Sequence, residues 1–212
     1  MDDITLGGPA AVVSADVAMI QADGSSKGLI LNEKKCEAIT ESGQTPSGLL
    51  HQFIQLTPTS ATLLGAPLMQ GQAMDDSLKM HCGDLERAIS RFELLTTHDA
   101  LVLLRASFGA PKLQHTLRAS SCRDHTSLTT LDWLLRAALG KICNVALSDD
   151  QWRQASLPVR SGGLGIRRVA SLASSAFLAS AVGTRDLQDR ILQGNEGNVQ
   201  LPDQVVDECL VS

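Results

Sequence analysis

The sequence predicts an α+β protein, with short antiparallel strands in its first third and a mainly helical remainder. Hydrophobic residues make up 43% of the 212 positions, which is enough to form a core. Up to about residue 72, short apolar runs alternate with Gly, Pro or charged residues, as short strands do. Beyond residue 74, apolar residues recur every three or four positions, as in amphipathic helices. We therefore expect three parts: residues 1–72, residues 74–193 and a flexible tail at 194–212.

The first part is predicted to contain one helix and four strands. Gly7-Gly8-Pro9 is typical of a turn followed by a helix start, and Gly24 suits the helix end. The apolar runs that follow predict a strand, turn and strand and then a further hairpin. The four predicted strands cover residues 28–32, 36–40, 51–56 and 62–68.

The helical part is predicted from two apolar stripes. One stripe runs from Leu78 through Phe92 and continues to Phe108, which predicts a long helix ending at Gly109. A shorter helix is expected over 111–120, and a second stripe extends from Leu128 to Ile142. Ser148 is a good N-cap for a short helix, and a Gly-rich connector at 157–165 precedes an Ala- and Ser-rich helix over 166–182.

Charge is distributed unevenly along the chain. The net charge of −5 is unfavourable for an autonomous nucleic-acid binder. Residues 105–168, however, contain ten basic and four acidic side chains, a formal charge of +6, and no Glu. This block is either a cluster of solvated arginines or a phosphate-facing surface, and charge alone does not separate the two.

Several classes of protein are disfavoured by residue spacing. The five cysteines are widely spaced and no signal peptide is recognised, so we expect an intracellular, reduced chain without a disulfide framework. His115, Cys122 and His125 do not have the spacing of a zinc site. The uncharged run at 169–184 is short for a membrane span, so we expect neither zinc nor membrane insertion.

The opening Met1-Asp2-Asp3, followed by ITLGG, resembles the Asp-Asp turn of reverse transcriptases from non-LTR, LINE-like retrotransposons. The resemblance implies that Asp2 and Asp3 are catalytic carboxylates that bind two Mg²⁺ ions. Such ions lower the pKa of an attacking 3′-hydroxyl and neutralise charge on the triphosphate. The substrates implied are an RNA template and a DNA primer.

Two further segments resemble the same family. GLILNEKKC matches a Gly-Leu-x-Leu-Asn-x-x-Lys stretch, which implies a catalytic role for Lys35 near the pyrophosphate. Lys34 is adjacent, and both lysines could instead simply solvate a turn. Leu63–Leu68 resembles the Leu-Gly hairpin at the junction of palm and thumb, which implies that Leu64 and Gly65 contact the primer.

Beyond residue 74 the chain resembles the helical thumb and its extension. Basic residues of this region are candidate contacts to nucleic-acid phosphates, with solvated loop arginines as the alternative. The candidates are Arg105, Lys112, Arg118, Arg160, Arg167 and Arg168.

The resemblance begins in the middle of a polymerase palm. Fingers and a further catalytic Asp would lie upstream of Met1, so we expect this chain alone not to polymerise. Template-dependent primer extension with Mg²⁺ would contradict that expectation. We also expect exposed strand edges to favour self-association. The alternatives to a polymerase fragment are a non-catalytic nucleic-acid-binding module and a helical interaction module.

Overall fold

The computed structural model describes residues 4–40 and 48–193, which are mainly helical with two small sheets. This architecture confirms the α+β class in its broad sense. The chain divides after Ala61 into two compact units. The first unit contains α1 (Ala10–Ser26), β1 (Glu37–Ile39) and β2 (Ile54–Leu56). The second contains β3 (Thr62–Leu63), β4 (Ala66–Pro67), α2 (Gln72–Phe92), α3 (Thr97–Leu103), α4 (Ala110–Ala119), α5 (Thr126–Cys143), α6 (Asp149–Ala155) and α7 (Val169–Gln193).

The first unit has a small core. Helix α1 begins directly after Pro9, as predicted, and buries Val17 against Leu50 and Phe53. The strand predicted at 28–32 is wrong: this segment is irregular and leads into a 3-10 turn at Glu33–Lys35. Leu29 and Ile30 are 67% and 92% exposed, so this apolar run has no surface to pack against.

Strands β1 and β2 pair in parallel, so the antiparallel arrangement predicted for the first part is wrong here. Glu37 lies opposite Ile54 and Ile39 lies opposite Leu56. A tight hairpin forces antiparallel pairing, whereas parallel strands need a connection of about a dozen residues or more. The chain between Ile39 and Ile54 is long enough and contains a 3-10 turn at Gly48–Gln52.

The segment predicted as one strand over 62–68 is a complete hairpin. Thr62 pairs with Pro67 and Leu63 with Ala66 in antiparallel register. The two turn residues, Leu64 and Gly65, have φ angles of 50° and 78°. Both are left-handed, as a type I′ turn requires.

The helices follow the predicted stripes with one interruption. The long helix predicted as far as Phe108 ends at Phe92, and α3 begins after Thr96, whose hydroxyl accepts from the Asp99 backbone N–H. A Thr N-cap starts a new helix because it satisfies an otherwise unpaired N–H group. A π-turn follows at Leu104–Phe108, and Gly109 ends it, as predicted.

The carboxyl-terminal half largely matches the sequence expectations. Helix α5 buries the predicted stripe from Leu128 to Ala138, and Ser148 forms a capping box with Gln151 at α6. Helix α7 begins at Val169 rather than 166 and continues to Gln193, so Arg167 and Arg168 belong to the connector. The predicted tail at 194–212 lies outside the described residues.

The core of the second unit is built from α2, α3, α4, α5 and the first part of α7. Leu78, Leu104, Leu113, Leu135 and Val169 are among its fully buried side chains. Within the described chain, no helix combines the length and apolar character needed to cross a lipid bilayer.

Candidate nucleic-acid interface

The side chain of Arg105 lies against the backbone of Gly165. A Cβ atom added to Gly165 would be 3.0 Å from Cδ of Arg105. Arg105 is in the π-turn before α4, whereas Gly165 is in the connector between α6 and α7. Tertiary packing therefore brings Arg105 to the segment that carries Arg160, Arg167 and Arg168.

The connector is a closed, hydrogen-bonded loop. The N–H groups of Ser161 and Gly163 donate to the Pro158 carbonyl at 2.8 and 3.2 Å, and the Gly165 N–H donates to Leu157 at 2.9 Å. A Cβ at Gly163 would lie 2.1 Å from the Leu157 carbonyl oxygen, so only glycine fits this position. These N–H groups are already used, so phosphate recognition here depends on the arginine side chains and not on an amide nest.

Ion pairs divide the ten basic residues of 105–168 into two groups. Six have an acidic partner within the described residues: Lys112, Arg123, Arg136, Lys141, Arg153 and Arg168. The other four have none among residues 4–40 and 48–193: Arg105, Arg118, Arg160 and Arg167. All four are exposed and all four were sequence candidates. An unpaired, exposed guanidinium can bind a phosphate without first breaking an ion pair.

Lys112 and Arg168, the two remaining candidates, are engaged elsewhere. Lys112 Nζ lies 3.1 Å from Asp84 Oδ2, and this hydrogen bond lowers the pKa of the Asp84 carboxyl. Arg168 Nε lies 3.9 Å from Asp132 Oδ2 and is half-buried. Arg118 also has no acidic partner in the described chain and lies in the last turn of α4, but it is Arg105 whose side chain lies against Gly165 of the connector. The best-supported group is therefore Arg105, Arg160 and Arg167.

The β3–β4 hairpin is joined to α4 and to its C-cap residue, Ser120, by side-chain hydrogen bonds. A His115 ring nitrogen lies 3.0 Å from the Leu64 carbonyl oxygen, and Ser120 Oγ donates to the Pro67 carbonyl at 2.5 Å. The Leu64 side chain is 86% exposed although its backbone is left-handed. A strained residue whose apolar side chain faces solvent is a candidate contact point.

Of the three catalytic residues implied by the resemblance, Lys35 alone is among the described residues. Asp2 and Asp3 lie outside the described residues, so the Mg²⁺ site stays a prediction. Lys35 is exposed at the end of the 3-10 turn Glu33–Lys35. No group of three or more His, Cys, Asp or Glu side chains that could hold a metal occurs among residues 4–40 and 48–193.

Sequence reasoning missed two polar residues that organise the second unit. Asp132 is buried beside Leu131 and Leu135, and a carboxylate on an apolar stripe is a signal that it has a specific partner. His81 has a buried Nδ1 without a hydrogen-bond partner in the described chain. Burial, and then the nearby Lys112 charge, lower the pKa of His81, whereas the Asp84 charge opposes this shift.

These features define an α+β protein whose helical second unit has exposed arginines, without an acidic partner in the described chain, at a hydrogen-bonded connector. No protein-family model, curated protein or solved structure matches the chain.

Proposed function

We propose that residues 62–193 hold the sugar–phosphate backbone of a nucleic-acid duplex, as the thumb-like part of a retroelement reverse transcriptase. One observation carries the proposal: the Arg105 side chain lies against the connector between α6 and α7, which contains Arg160 and Arg167, and none of these three arginines has an acidic partner in the described chain. Guanidinium groups bind phosphate oxygens in a bidentate manner, so such a cluster suits a backbone.

The distribution of aromatic residues favours a duplex over a single strand. Single-stranded nucleic acid is usually held by stacking its bases on exposed aromatic rings. Among the described aromatic side chains only Trp133 is exposed, whereas Phe53, Phe92 and Trp152 are buried. The resulting contact is to phosphates and is independent of base sequence.

The reverse transcriptase assignment adds chemistry to this binding role. In the intact enzyme that the resemblance implies, Asp2 and Asp3 hold Mg²⁺ and Lys35 stabilises the pyrophosphate. The exposed Leu64–Gly65 turn, fastened to α4, supports a role in contacting a primer strand. The RNA template and DNA primer then form the duplex that the arginines hold.

A salt titration tests the binding role. Fluorescence anisotropy of a labelled RNA–DNA primer–template would be measured with the purified chain between about 50 and 200 mM salt. We expect the triple variant Arg105→Gln, Arg160→Gln, Arg167→Gln to bind more weakly. Its log–log salt slope should be smaller in magnitude by about 2.7, because about three phosphate contacts are lost.

A charge-matched control separates a site from net charge. Lys79, Arg87 and Arg91 are exposed on α2, and their combined substitution by Gln removes the same charge. We expect this control to retain most of the wild-type affinity and salt slope. Equal losses in both triple variants, or binding that does not change with salt, would contradict the proposal.

A further inference from the structure

The guanidinium of Arg168 contacts a buried carboxylate through one of its three nitrogens only. Its Nε atom lies 3.9 Å from Oδ2 of Asp132. Arg168 has no other hydrogen bond or ion pair within the described residues. A guanidinium has five N–H donors in one plane, and four of them are on the two terminal nitrogens. Both Nη groups of Arg168 are therefore available to a ligand, although the residue forms an ion pair.

Two other paired arginines use their terminal nitrogens instead. Arg136 Nη1 lies 2.6 Å from Asp149 Oδ1, and Arg136 Nη2 donates to a backbone carbonyl. Arg153 Nη1 lies 3.2 Å from Asp150 Oδ1. A phosphate bound in a bidentate manner needs two N–H groups of the same fork, so it would compete with these carboxylates. The ion pair of Arg168 leaves the terminal end of its fork free of such competition.

Asp132 is a fixed partner because other contacts hold its carboxylate. The residue is 8% exposed, and its two oxygens accept from the N–H groups of Val169 and Ala170 at 2.5 and 3.4 Å. The Arg168 side chain, in contrast, is 41% exposed. A fixed carboxylate beside Nε restricts the rotation of the guanidinium plane, while the exposed part of the side chain leaves access for a ligand.

The surroundings of Arg168 favour an anionic ligand. Arg168 directly follows Arg167 and lies three residues after Gly165, against which the Arg105 side chain packs. Between positions 151 and 185 the sequence contains five arginines and no acidic residue. The first two N–H groups of α7 are already used by Asp132, so an anion here is bound by guanidinium groups and not by the helix N-terminus.

We propose that Arg168 binds a backbone phosphate of the duplex through its two Nη groups, while Asp132 positions it through Nε. This inference rests on the proposed function and adds a fourth phosphate contact to the same site. Asp132 itself touches no ligand, so it is a positioning residue. An arginine that is restrained before binding loses less side-chain entropy when the phosphate binds. The ion pair stays intact in the complex, so the phosphate does not have to displace a carboxylate.

A double-mutant cycle on duplex binding tests the positioning role. The anisotropy assay with the labelled RNA–DNA primer–template is applied to Arg168→Gln, Asp132→Asn and the double variant. We expect Arg168→Gln to weaken binding about tenfold and to reduce the magnitude of the salt slope by about 0.9. Asp132→Asn should weaken binding about fivefold when Arg168 is present and have little effect in the Arg168→Gln background. Equal effects in both backgrounds would overturn the proposal, because Asp132 would then act through the fold alone.

Arg168→Lys tests the two terminal nitrogens without a change of charge. A lysine has one ammonium group, which cannot pair with Asp132 and also bind a phosphate in a bidentate manner. We expect the affinity to fall while the salt slope stays close to that of the wild type. This variant retains the Asp132 carboxylate, so its result does not depend on the stability of Asp132→Asn. Wild-type affinity in Arg168→Lys would overturn the role of the Nη groups.

Arg153→Gln is the matched control. It removes the same charge from another ion-paired arginine, on α6, that is not a candidate phosphate contact, so binding should stay close to wild type. Arg168→Gln might match this control while the triple variant described above loses affinity; the fourth contact would then be wrong and the proposed function would stand. A wild-type chain without salt-dependent binding would overturn both.

Discussion

Asp132 of helix α5 accepts a hydrogen bond from the backbone N–H of Val169, the first residue of helix α7, at 2.5 Å. Its second carboxylate oxygen accepts from the Ala170 N–H at 3.4 Å. The residue before Val169 is an arginine, which offers no local N-cap, so a carboxylate from another helix takes this role. The contact orients the start of α7 and, with it, the connector that carries Arg160 and Arg167.

Removing the Asp132 carboxylate should destabilise the second unit. We expect Asp132→Ala to lower the free energy of unfolding by about 1–3 kcal/mol, because two N–H groups lose their acceptor. Urea denaturation followed by the fluorescence of buried Trp152 measures this change. Asp186→Ala, at an exposed position of α7, serves as the control and should have little effect. Equal losses in both variants would show that the cap is unimportant.

The same carboxyl predicts a dependence of stability on pH. Burial raises the pKa of Asp132, although the Val169 and Ala170 amides and Arg168 oppose this shift. The folded protein then binds this proton more tightly than the unfolded chain does. Its stabilising contribution is fully present below the unfolded pKa of about 4 and is lost as pH rises through the raised folded pKa.

The variant Asp132→Asn has no ionisable group at position 132. Comparing it with the wild type therefore isolates the contribution of the Asp132 carboxyl to the pH dependence of stability. We expect the wild type to lose stability relative to Asp132→Asn as the pH rises from about 4 to 7. The free energies of unfolding of the two proteins, measured by denaturation across this range, provide the comparison. A difference that is constant, or that changes in the opposite direction, would contradict the prediction.

Two glycines should respond to alanine in opposite ways. Gly163→Ala places a Cβ atom 2.1 Å from the Leu157 carbonyl oxygen, and such overpacking costs about 1–3 kcal/mol. Gly183→Ala in α7 meets nothing within 4 Å and should stabilise the helix by about 0.5–1 kcal/mol. Thermal denaturation compares the two. A Gly163→Ala protein as stable as the wild type would show that the connector is not the closed loop described above.

Substituting Leu64 by Asn should raise the stability of the fold and weaken binding to a primer–template. Asn tolerates the left-handed backbone better than Leu, so Leu64→Asn should raise the free energy of unfolding by about 1 kcal/mol. The affinity for a primer–template should nevertheless fall if the Leu64 side chain contacts the duplex. Leu94→Asn, at an equally exposed position of ordinary φ, is the matched control and should gain no stability. Unchanged affinity in Leu64→Asn would remove this turn from the binding surface.

The exposed thiol of Cys143 should react faster with an alkylating reagent than the buried thiol of Cys122. Burial raises the pKa of Cys122 to about 11, whereas the Cys143 side chain is exposed at the end of α5. The thiolate is the reactive form, so Cys143 should be alkylated rapidly at neutral pH and Cys122 only after unfolding. Peptide mass spectrometry after timed labelling measures both rates. Comparable rates in the folded protein would mean that the core around Cys122 opens readily.

Local signals in the sequence were sufficient to predict several elements. Pro9 and Ser148 each mark a helix start, and Gly109 marks a stop, because capping and backbone constraints act over a few residues. The Leu128–Ala138 stripe likewise predicted the buried face of α5. The sequence identified residues 105–168 as a block of positive charge. It did not show which of the basic residues form ion pairs within the described chain.

Other features depend on residues far apart in the chain. The apolar run at 28–32 has the composition of a strand but no partner strand, and β1 pairs in parallel with a strand beyond a long connection. The break after Phe92 was missed because the apolar stripe continues across it. The contact between Arg105 and Gly165 joins positions 60 residues apart, beyond the range of any periodic pattern.

The amino-acid sequence by itself determined where most helices of this protein begin and which faces they bury, because caps, glycines and three- to four-residue spacing act locally. Only the tertiary structure decided the parallel pairing of β1 with β2, the capping of α7 by Asp132, and the meeting of Arg105 with the connector. Each of these depends on bringing distant segments together, since hydrogen bonds and ion pairs form according to distance in space rather than along the chain.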